Sequence, residues 1–329
     1  MAHLASHRVS SCSWLGPSST IHGIIPANVD LQNDVPVEHY LPPESAEQGP
    51  FLALRMWLAG SPWRLTGGWL VLAGLVASAG LRVREQPLLD LVLALVLVEA
   101  LWGGLWLQIV LPAQLPGALV GRRPRLPYAN PTGPAGRLLG WRQGDDLPGL
   151  VRGVVPLLAA ALLVAWLVGT VALALTAVAV VLATLAGLSR RAGLPTWVQW
   201  LHALVLATLP FVLGISLAGP WPVGPVGWRL IALATSYTLL AGVSLAVTNQ
   251  GAAAATGLPL LLQAGLGAGI VIGVLLLSGQ VVAAGLEALL VTAPLLILAR
   301  PAMARPRTLN GWWLLLVLTS SLAIGLGIG

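Results

Sequence analysis

A few polar side chains set within long apolar stretches could do chemistry in this chain. Glu99 and Glu287 each lie well inside such a stretch. A carboxyl group is costly to place in hydrocarbon, so acids at these positions are functional candidates by default. The spacing puts Glu99, Trp102 and Trp106 on one helix face. We predict that this face binds a polar headgroup, a quinone-like carbonyl or a pigment substituent. A protonated Glu99 that is hydrogen-bonded to a neighbouring backbone or hydroxyl group is an equally good interpretation.

His202 is the only histidine in a predicted membrane span, and it lies near Trp197 and Trp200. Imidazole can ligate the central metal of a haem or a chlorophyll, so His202 is a candidate pigment ligand. A single histidine is weak evidence for such a site. An interhelical hydrogen bond is therefore the favoured interpretation.

The composition excludes a soluble globular domain. Of the 329 residues, 57% are hydrophobic and only 9% are charged, whereas soluble domains carry about 25% charged residues. All 17 basic residues are Arg, and the net charge is +6. These arginines are better explained as signals of membrane topology than as contacts to a nucleic acid. The 14 Trp against two Phe are typical of anchoring at membrane interfaces. Cys12 is the only cysteine, so a disulfide framework and a multi-cysteine metal site are both excluded.

We predict an all-α polytopic membrane protein of about nine transmembrane helices. A helix needs about 20 apolar residues to cross the hydrocarbon core of a bilayer. By this measure the predicted spans are residues 63–81, 88–111, 153–168, 171–188, 196–217, 228–247, 258–277, 281–299 and 311–328. Residues 153–188 would make a single helix of about 54 Å, so a hairpin that turns near Gly169 is predicted instead.

Three regions follow from this division. Residues 1–50 have five of the eleven acids and no long apolar run, so they are predicted to form an extramembrane tail. Residues 51–62 put apolar bulk beside Arg55, which is typical of an interfacial helix. Residues 63–329 form the transmembrane domain, with a long loop at about 112–152.

The arginines are distributed unequally between the two predicted faces. Fourteen lie on the face of the N-terminus, and three lie on the other face, namely Arg82, Arg84 and Arg229. Positively charged loops stay in the cytoplasm. We therefore predict an integral protein of the inner (cytoplasmic) membrane, with its N-terminus in the cytoplasm and its C-terminus outside.

Two further patterns concern helix packing. Gly265, Gly269 and Gly273 repeat every four residues, which predicts close contact with another helix. Pro210 lies inside the fifth predicted span, and it is expected to kink that helix because it lacks a backbone N–H.

The arrangement of residues 51–329 resembles the UbiA-type intramembrane prenyltransferases. The similarity consists of nine spans, Leu54 and Arg55 before the first span, two notable cytoplasmic loops after the second and sixth spans, and a Gly-rich seventh span after Asn249. The resemblance implies a UbiA-like helical bundle. It also implies Asp-rich motifs in the two loops that hold Mg²⁺ on the diphosphate of a polyprenyl donor.

Those acids are missing from the corresponding positions. The end of the second span, residues 103–112, contains no acid. After the sixth span, Asn249 and Gln250 are followed by Gly251 and four Ala residues. Mg²⁺ needs oxygen ligands, and Ala has none. The chain is therefore expected to be a UbiA-like pseudoenzyme.

Four charged residues of the long loop leave an alternative open. Asp145 and Asp146, with Asn249, could form a relocated Mg²⁺ site for an active prenyltransferase, but helix capping explains the two acids better. Arg122 and Arg123 could bind a phosphate or a lipid headgroup, although the positive-inside rule alone explains them.

The predicted function is a non-catalytic accessory or structural subunit of a larger membrane complex. It is expected to hold a membrane lipid, a quinone, a carotenoid or a chlorophyll-type pigment, and no metal site is predicted. Other membrane subunits are expected partners. The predicted ligand-binding residues are Glu99, Trp102, Trp106, His202, Asn249, Gln250, Arg122 and Arg123.

Overall fold

The chain folds into helices throughout the part that the structure, a computed structural model, describes. The described residues are 66–78, 88–110, 149–250, 257–300 and 306–328. They form nine helices, one at each predicted span. These are α1 (Gly67–Ala77), α2 (Leu88–Val110), α3 (Gly149–Val168), α4 (Thr170–Arg191), α5 (Pro195–Ala218), α6 (Pro225–Gln250), α7 (Leu258–Leu277), α8 (Val281–Ala299) and α9 (Pro306–Ile328).

Seven of these helices are long and apolar enough to cross a membrane, namely all except α1 and α3. Helices can cross a bilayer because their backbone groups are hydrogen-bonded internally. The prediction of an all-α integral membrane protein is therefore confirmed. The count of nine spanning helices remains a prediction. The tail, the interfacial segment and residues 111–148 of the long loop lie outside the described residues.

Gly169 separates α3 from α4. Its φ of 137° is a conformation that residues with a Cβ rarely adopt, and it breaks the helix at this point. The predicted hairpin is therefore confirmed, and its turn is a single residue long.

Several helices differ in length from the predicted spans. Helix α1 has only 11 residues, whereas the predicted span was 63–81, so the predicted length was wrong. Its rise is about 16 Å, half the thickness of the hydrocarbon core. Helix α6 has 26 described residues and extends to Gln250, where this described range stops, three residues beyond its predicted end. Thr248, Asn249 and Gln250 therefore belong to a helix and not to the following loop.

Helix α1 packs between the two halves of the bundle. One buried cluster joins α1 and α5 to α6–α9, and a second joins α2–α4 to α1 and α5. In the first cluster, Phe211 meets Tyr237 edge to face, with 5.2 Å between the ring centroids. Such pairs add to the packing energy, and α1 and α5 hold the two halves together.

Glycines allow α1 to lie directly against the backbone of its neighbours. A Cβ on Gly74 would lie 2.1 Å from the carbonyl oxygen of Phe211 in α5, and one on Gly214 would lie 2.0 Å from that of Val71. A Cβ on Gly325 of α9 would lie 2.1 Å from the carbonyl oxygen of Val76. No side chain fits at these three positions, so the contacts depend on glycine.

The predicted role of the glycine repeat in α7 was wrong. A Cβ on Gly265, Gly269 or Gly273 would meet nothing within 4 Å in the described part of the chain. The repeat identifies a helix face with small side chains, but that face has no helix packed against it here. Gly267, two residues from Gly265 and therefore on roughly the opposite side of the helix, is the α7 glycine that closely approaches Leu240 of α6.

Candidate functional site

Two helices of the bundle change their winding near mid-length. In α2, residues Leu97–Trp102 form a π-helical stretch, and in α5, residues Leu204–Thr208 do the same. Pro210 explains the second stretch, because it cannot donate a hydrogen bond to the carbonyl four residues earlier, that of Leu206. Pro210 therefore changes the winding of its helix. Such π-helical turns are frequent at functional sites.

The first residue of α1 lies between these two π-helical stretches. A Cβ on Gly67 would lie 2.3 Å from the Val98 side chain of α2, and 3.7 Å from the carbonyl oxygen of Leu206 in α5. Both neighbours are near the middle of their helices. Helix α1 therefore begins at mid-depth in the bundle, and runs parallel to the second half of α5.

Glu99 binds the N-terminus of α1. The backbone N–H of Gly68 donates a hydrogen bond of 2.6 Å to Oε1 of Glu99. The first N–H groups of a helix have no partner within the helix, and the helix dipole favours a carboxylate beside them. The structure thus places a hydrogen bond from a neighbouring backbone N–H at Glu99. That Glu99 is protonated, as the second interpretation has it, stays a prediction.

Trp102 binds a different helix. Its indole Nε1–H donates a hydrogen bond of 3.1 Å to Oγ1 of Thr176 in α4. The Thr176 hydroxyl in turn donates to the carbonyl oxygen of Ala172, at 2.8 Å. Trp102 is 2% exposed, so its position is set by this buried contact.

Trp106 stacks on His202 of α5. The ring centroids are 4.4 Å apart, and the ring planes differ by 16°. Trp106 is buried, whereas His202 is partly exposed. The structure therefore brings Trp106 and His202 together. Glu99, Trp102 and Trp106, predicted on one face, contact three different helices, α1, α4 and α5 respectively.

Amide side chains fix the backbone of α6 near this stack. Nε2 of Gln199, which lies one turn before His202, donates a hydrogen bond of 2.7 Å to the carbonyl oxygen of Gly242. From α7, Nε2 of Gln263 donates to the carbonyl oxygen of Leu239 at 2.8 Å. Side-chain hydrogen bonds between helices are one of the main attractive contacts within a membrane.

The remaining predicted site residues are not brought into this arrangement. Arg122, Arg123, Asp145 and Asp146 lie outside the described residues. The backbone of Asn249 and Gln250 forms the last turn of α6, and their side chains lie outside the description. Their predicted roles stay predictions. Within the described ranges, no group of three or more His, Cys, Asp or Glu could hold a metal ion.

A second polar cluster lies between α6, α8 and α9. Glu287 of α8 is 2% exposed, and its Oε1 lies 2.5 Å from Oγ1 of Thr319 in α9. The Tyr237 hydroxyl of α6 lies 2.8 Å from Oγ of Ser320 and 2.9 Å from Oγ of Ser321. The sequence identified Glu287 but not the other four residues. The run of three hydroxyl residues within an apolar span was the signal that could have indicated them.

No family model, no curated protein and no solved structure matches this chain. The fold defines an all-α integral membrane protein.

Proposed function

We propose that this chain is a non-catalytic membrane protein of UbiA-like architecture that binds a quinone-type lipid. In this proposal the stacked pair Trp106 and His202 receives the planar headgroup of the lipid. The pair is the observation that carries the proposal, because it joins an aromatic face and an imidazole inside an apolar bundle.

The chemistry of the pair suits a quinone. A quinone ring is flat and apolar on its faces, so it can stack on an aromatic side chain. Its carbonyl oxygens accept hydrogen bonds, and a neutral imidazole has one N–H donor. His202 is half-buried and its Nε2 is enclosed, so in this proposal the headgroup approaches the exposed part of the imidazole, while the buried Trp106 lies behind the ring.

The depth of the pair also supports this proposal. His202 lies one turn before Leu206, which is near the middle of α5. It therefore lies in the first half of α5, whereas α1 packs along the second half. The isoprenoid tail can extend along the apolar helices while the headgroup lies at the pair. Ligand sites between the helices of a bundle commonly combine apolar walls with a few polar groups.

A lack of catalysis is proposed from the positions at which acids would be needed. Release of a diphosphate requires divalent cations held by oxygen ligands. The last turns of α2, residues 103–110, contain no acid, and Gly251 and Ala252 follow α6. The relocated site of Asp145, Asp146 and Asn249 is the alternative.

We further propose that the protein resides in the inner membrane, with its N-terminus in the cytoplasm, and that it acts as an accessory subunit of a larger membrane complex. The unequal distribution of the arginines supports this orientation. In this orientation Arg190 and Arg191, at the end of α4, lie at the cytoplasmic surface. Arg190 donates a hydrogen bond of 2.8 Å to the carbonyl oxygen of Val110, so it also links the ends of α4 and α2.

The test is to identify what accompanies the protein from its native membrane. The wild type should retain a quinone-type lipid through mild purification, and Trp106→Leu should lose most of it. Trp166→Phe is the matched control, because Trp166 is 66% exposed on the outside of α3. Copurified subunits would identify the complex.

Two outcomes contradict the proposal. The first is equal lipid content in the wild type and Trp106→Leu. The second is Mg²⁺-dependent release of diphosphate from a polyprenyl diphosphate that is abolished by Asp145→Ala combined with Asp146→Ala. The second outcome would establish the alternative prenyltransferase.

A further inference from the structure

The buried acid Glu287 is outside the proposed lipid site, and its surroundings point to a separate chemistry. It is the seventh residue of α8, and it contacts α9 through Thr319. Its second carboxyl oxygen, Oε2, is buried, and no described residue forms a hydrogen bond with it. An ionised carboxylate in these surroundings would have one oxygen with neither water nor a donor, which is strongly unfavourable.

The hydrogen atoms around Thr319 can be counted. Its Oγ1 lies 2.5 Å from Oε1 of Glu287 and 2.7 Å from the carbonyl oxygen of Leu315. A threonine hydroxyl has one proton, and a carbonyl oxygen has none to give. If the hydroxyl donates to Leu315, then the proton between Thr319 and Glu287 must belong to the carboxyl group.

Other threonines in the bundle show which way the hydroxyl points. Thr176 donates to the carbonyl four residues earlier and accepts a hydrogen bond from the indole N–H of Trp102. An indole N–H can only donate, so the direction at Thr176 is settled. Thr238 and Thr248 also donate to the carbonyl four residues earlier. Thr319 has the same contact with the carbonyl oxygen four residues earlier, that of Leu315. Glu287 takes the position at the Thr319 hydroxyl that the donor Trp102 takes at the Thr176 hydroxyl.

The neighbouring helices provide no described cation to pair with Glu287. Tyr237 is the titratable side chain that faces it from α6, and its hydroxyl is bound to Ser320 and Ser321. Helix α7 contains no titratable residue. Arg229 of α6 donates to the carbonyl oxygen of Leu277 at the end of α7, while Arg300 and Arg307 lie at the far ends of α8 and α9.

We propose that Glu287 is a proton-binding site inside the membrane domain, linked through Thr319 to the packing of α8 against α9. In the proposed protonated state the carboxylic acid donates its proton to Oγ1 of Thr319, which lies 2.5 Å from Oε1. Deprotonation breaks the O–H bond of the acid and transfers the proton to water. Two acceptor oxygens then face each other, and Thr319 must turn its hydroxyl from Leu315 to Glu287. The contact between α8 and α9 therefore depends on the bound proton.

Infrared spectroscopy of the full chain in lipid tests this proposal. The wild type at pH 7 should show the carbonyl stretch of a protonated carboxylic acid, sensitive to exchange into D₂O, and Glu287→Gln should lack it. Thr319→Val should retain this band but shift it to a higher frequency, because the hydroxyl that accepts the acid proton is gone. Thr292→Val is the matched control and should change nothing, because the described hydrogen bond of the Thr292 hydroxyl is to Leu289 within α8. Identical wild-type and Glu287→Gln spectra in this region would overturn the proposal.

A second measurement needs no variant. Hydrophobic carbodiimides react with protonated carboxyl groups in apolar surroundings, so dicyclohexylcarbodiimide should modify Glu287 at neutral pH. The modification, located by mass spectrometry of peptides, should decrease as the pH rises. Absence of the adduct would contradict the proposal. Protection by Na⁺ at constant pH would also contradict it, because the site would then bind a metal cation instead of a proton.

Discussion

The backbone N–H of Gly68 donates a 2.6 Å hydrogen bond to the Glu99 carboxyl group, so the beginning of α1 lies at the same depth as the middle of α2. This contact explains how a helix of only 11 residues can begin inside the bundle. The first N–H groups of a helix need acceptors wherever water is absent. Glu99 provides one of them.

Loss of the Glu99 carboxyl group should therefore destabilise α1. We expect Glu99→Ala to reduce the free energy of unfolding by about 1–2 kcal/mol, because the N-terminus of α1 loses a hydrogen-bond acceptor. The measurement is the unfolding midpoint in mixed SDS and detergent micelles.

Glu99→Gln keeps a carbonyl acceptor and should reduce the free energy of unfolding by less than Glu99→Ala. Asp90→Asn, which replaces an acid nine residues earlier in the same helix, should have a smaller effect than Glu99→Ala. Equal effects of Asp90→Asn and Glu99→Ala would show that the contact with Gly68 contributes nothing.

The glycines between α1 and α5 should not tolerate a side chain. Gly74→Ala would place a Cβ 2.1 Å from the carbonyl oxygen of Phe211, so the two helices must separate. We expect a loss of about 1–3 kcal/mol, typical of overpacking, in the same unfolding measurement. Gly269→Ala is the matched control, because its Cβ would meet nothing within 4 Å. If both variants unfolded at the wild-type midpoint, the close contact between α1 and α5 would be contradicted.

The buried hydrogen bond between Trp102 and Thr176 should be measurable by a double-mutant cycle. Trp102→Phe and Thr176→Val each remove one partner of the 3.1 Å bond. We expect a coupling energy of about 0.5–1.5 kcal/mol, as found for buried hydrogen bonds between membrane helices. Strictly additive effects of the two substitutions would contradict the contact.

The proposed orientation can be tested with the natural cysteine. Cys12 is the only cysteine in the chain, so a membrane-impermeant maleimide can report on the N-terminal region without any substitution. We expect labelling only after the cells are opened. Labelling of intact cells would place this region outside and would reverse the proposed topology.

Much of the helical division could be predicted from the sequence, because each span is determined locally. An apolar run of about 20 residues satisfies its own backbone hydrogen bonds, and the length of residues 153–188 required a break near Gly169. The structure places α2 and α4–α9 at predicted spans. These features need no knowledge of neighbouring helices.

The short α1 and the π-helical stretches could not be predicted in this way. The start of α1 depends on Glu99, a residue of another helix, and nothing in the apolar sequence near Gly67 indicates it. Pro210, just after the π-helical stretch of α5, indicated a disturbance there, but residues Gly103–Val110, which follow the π-helical stretch of α2, contain no proline. The glycine repeat in α7 failed for the same reason, because a repeat defines a helix face but not what packs against it.

The candidate site was predicted in part. Trp106 and His202 were both predicted as ligand-binding residues, and the structure stacks them. Their contact could not be predicted, because it depends on how α2 and α5 are placed relative to each other. Thr319, the partner of Glu287, lies 32 positions away in the sequence, so this pair was also hidden until the helices were assembled.

The central claim is that the stacked pair Trp106 and His202 binds a quinone-type lipid. Equilibrium titration of the full chain in lipid nanodiscs with a short-chain quinone, followed by quenching of tryptophan fluorescence, tests this claim most directly. We predict saturable binding at one site, weakened at least about tenfold, or about 1.4 kcal/mol, by His202→Leu and unchanged by Trp228→Phe, since Trp228 is 72% exposed. Equal affinity of the wild type and His202→Leu, or quenching without saturation, would contradict it.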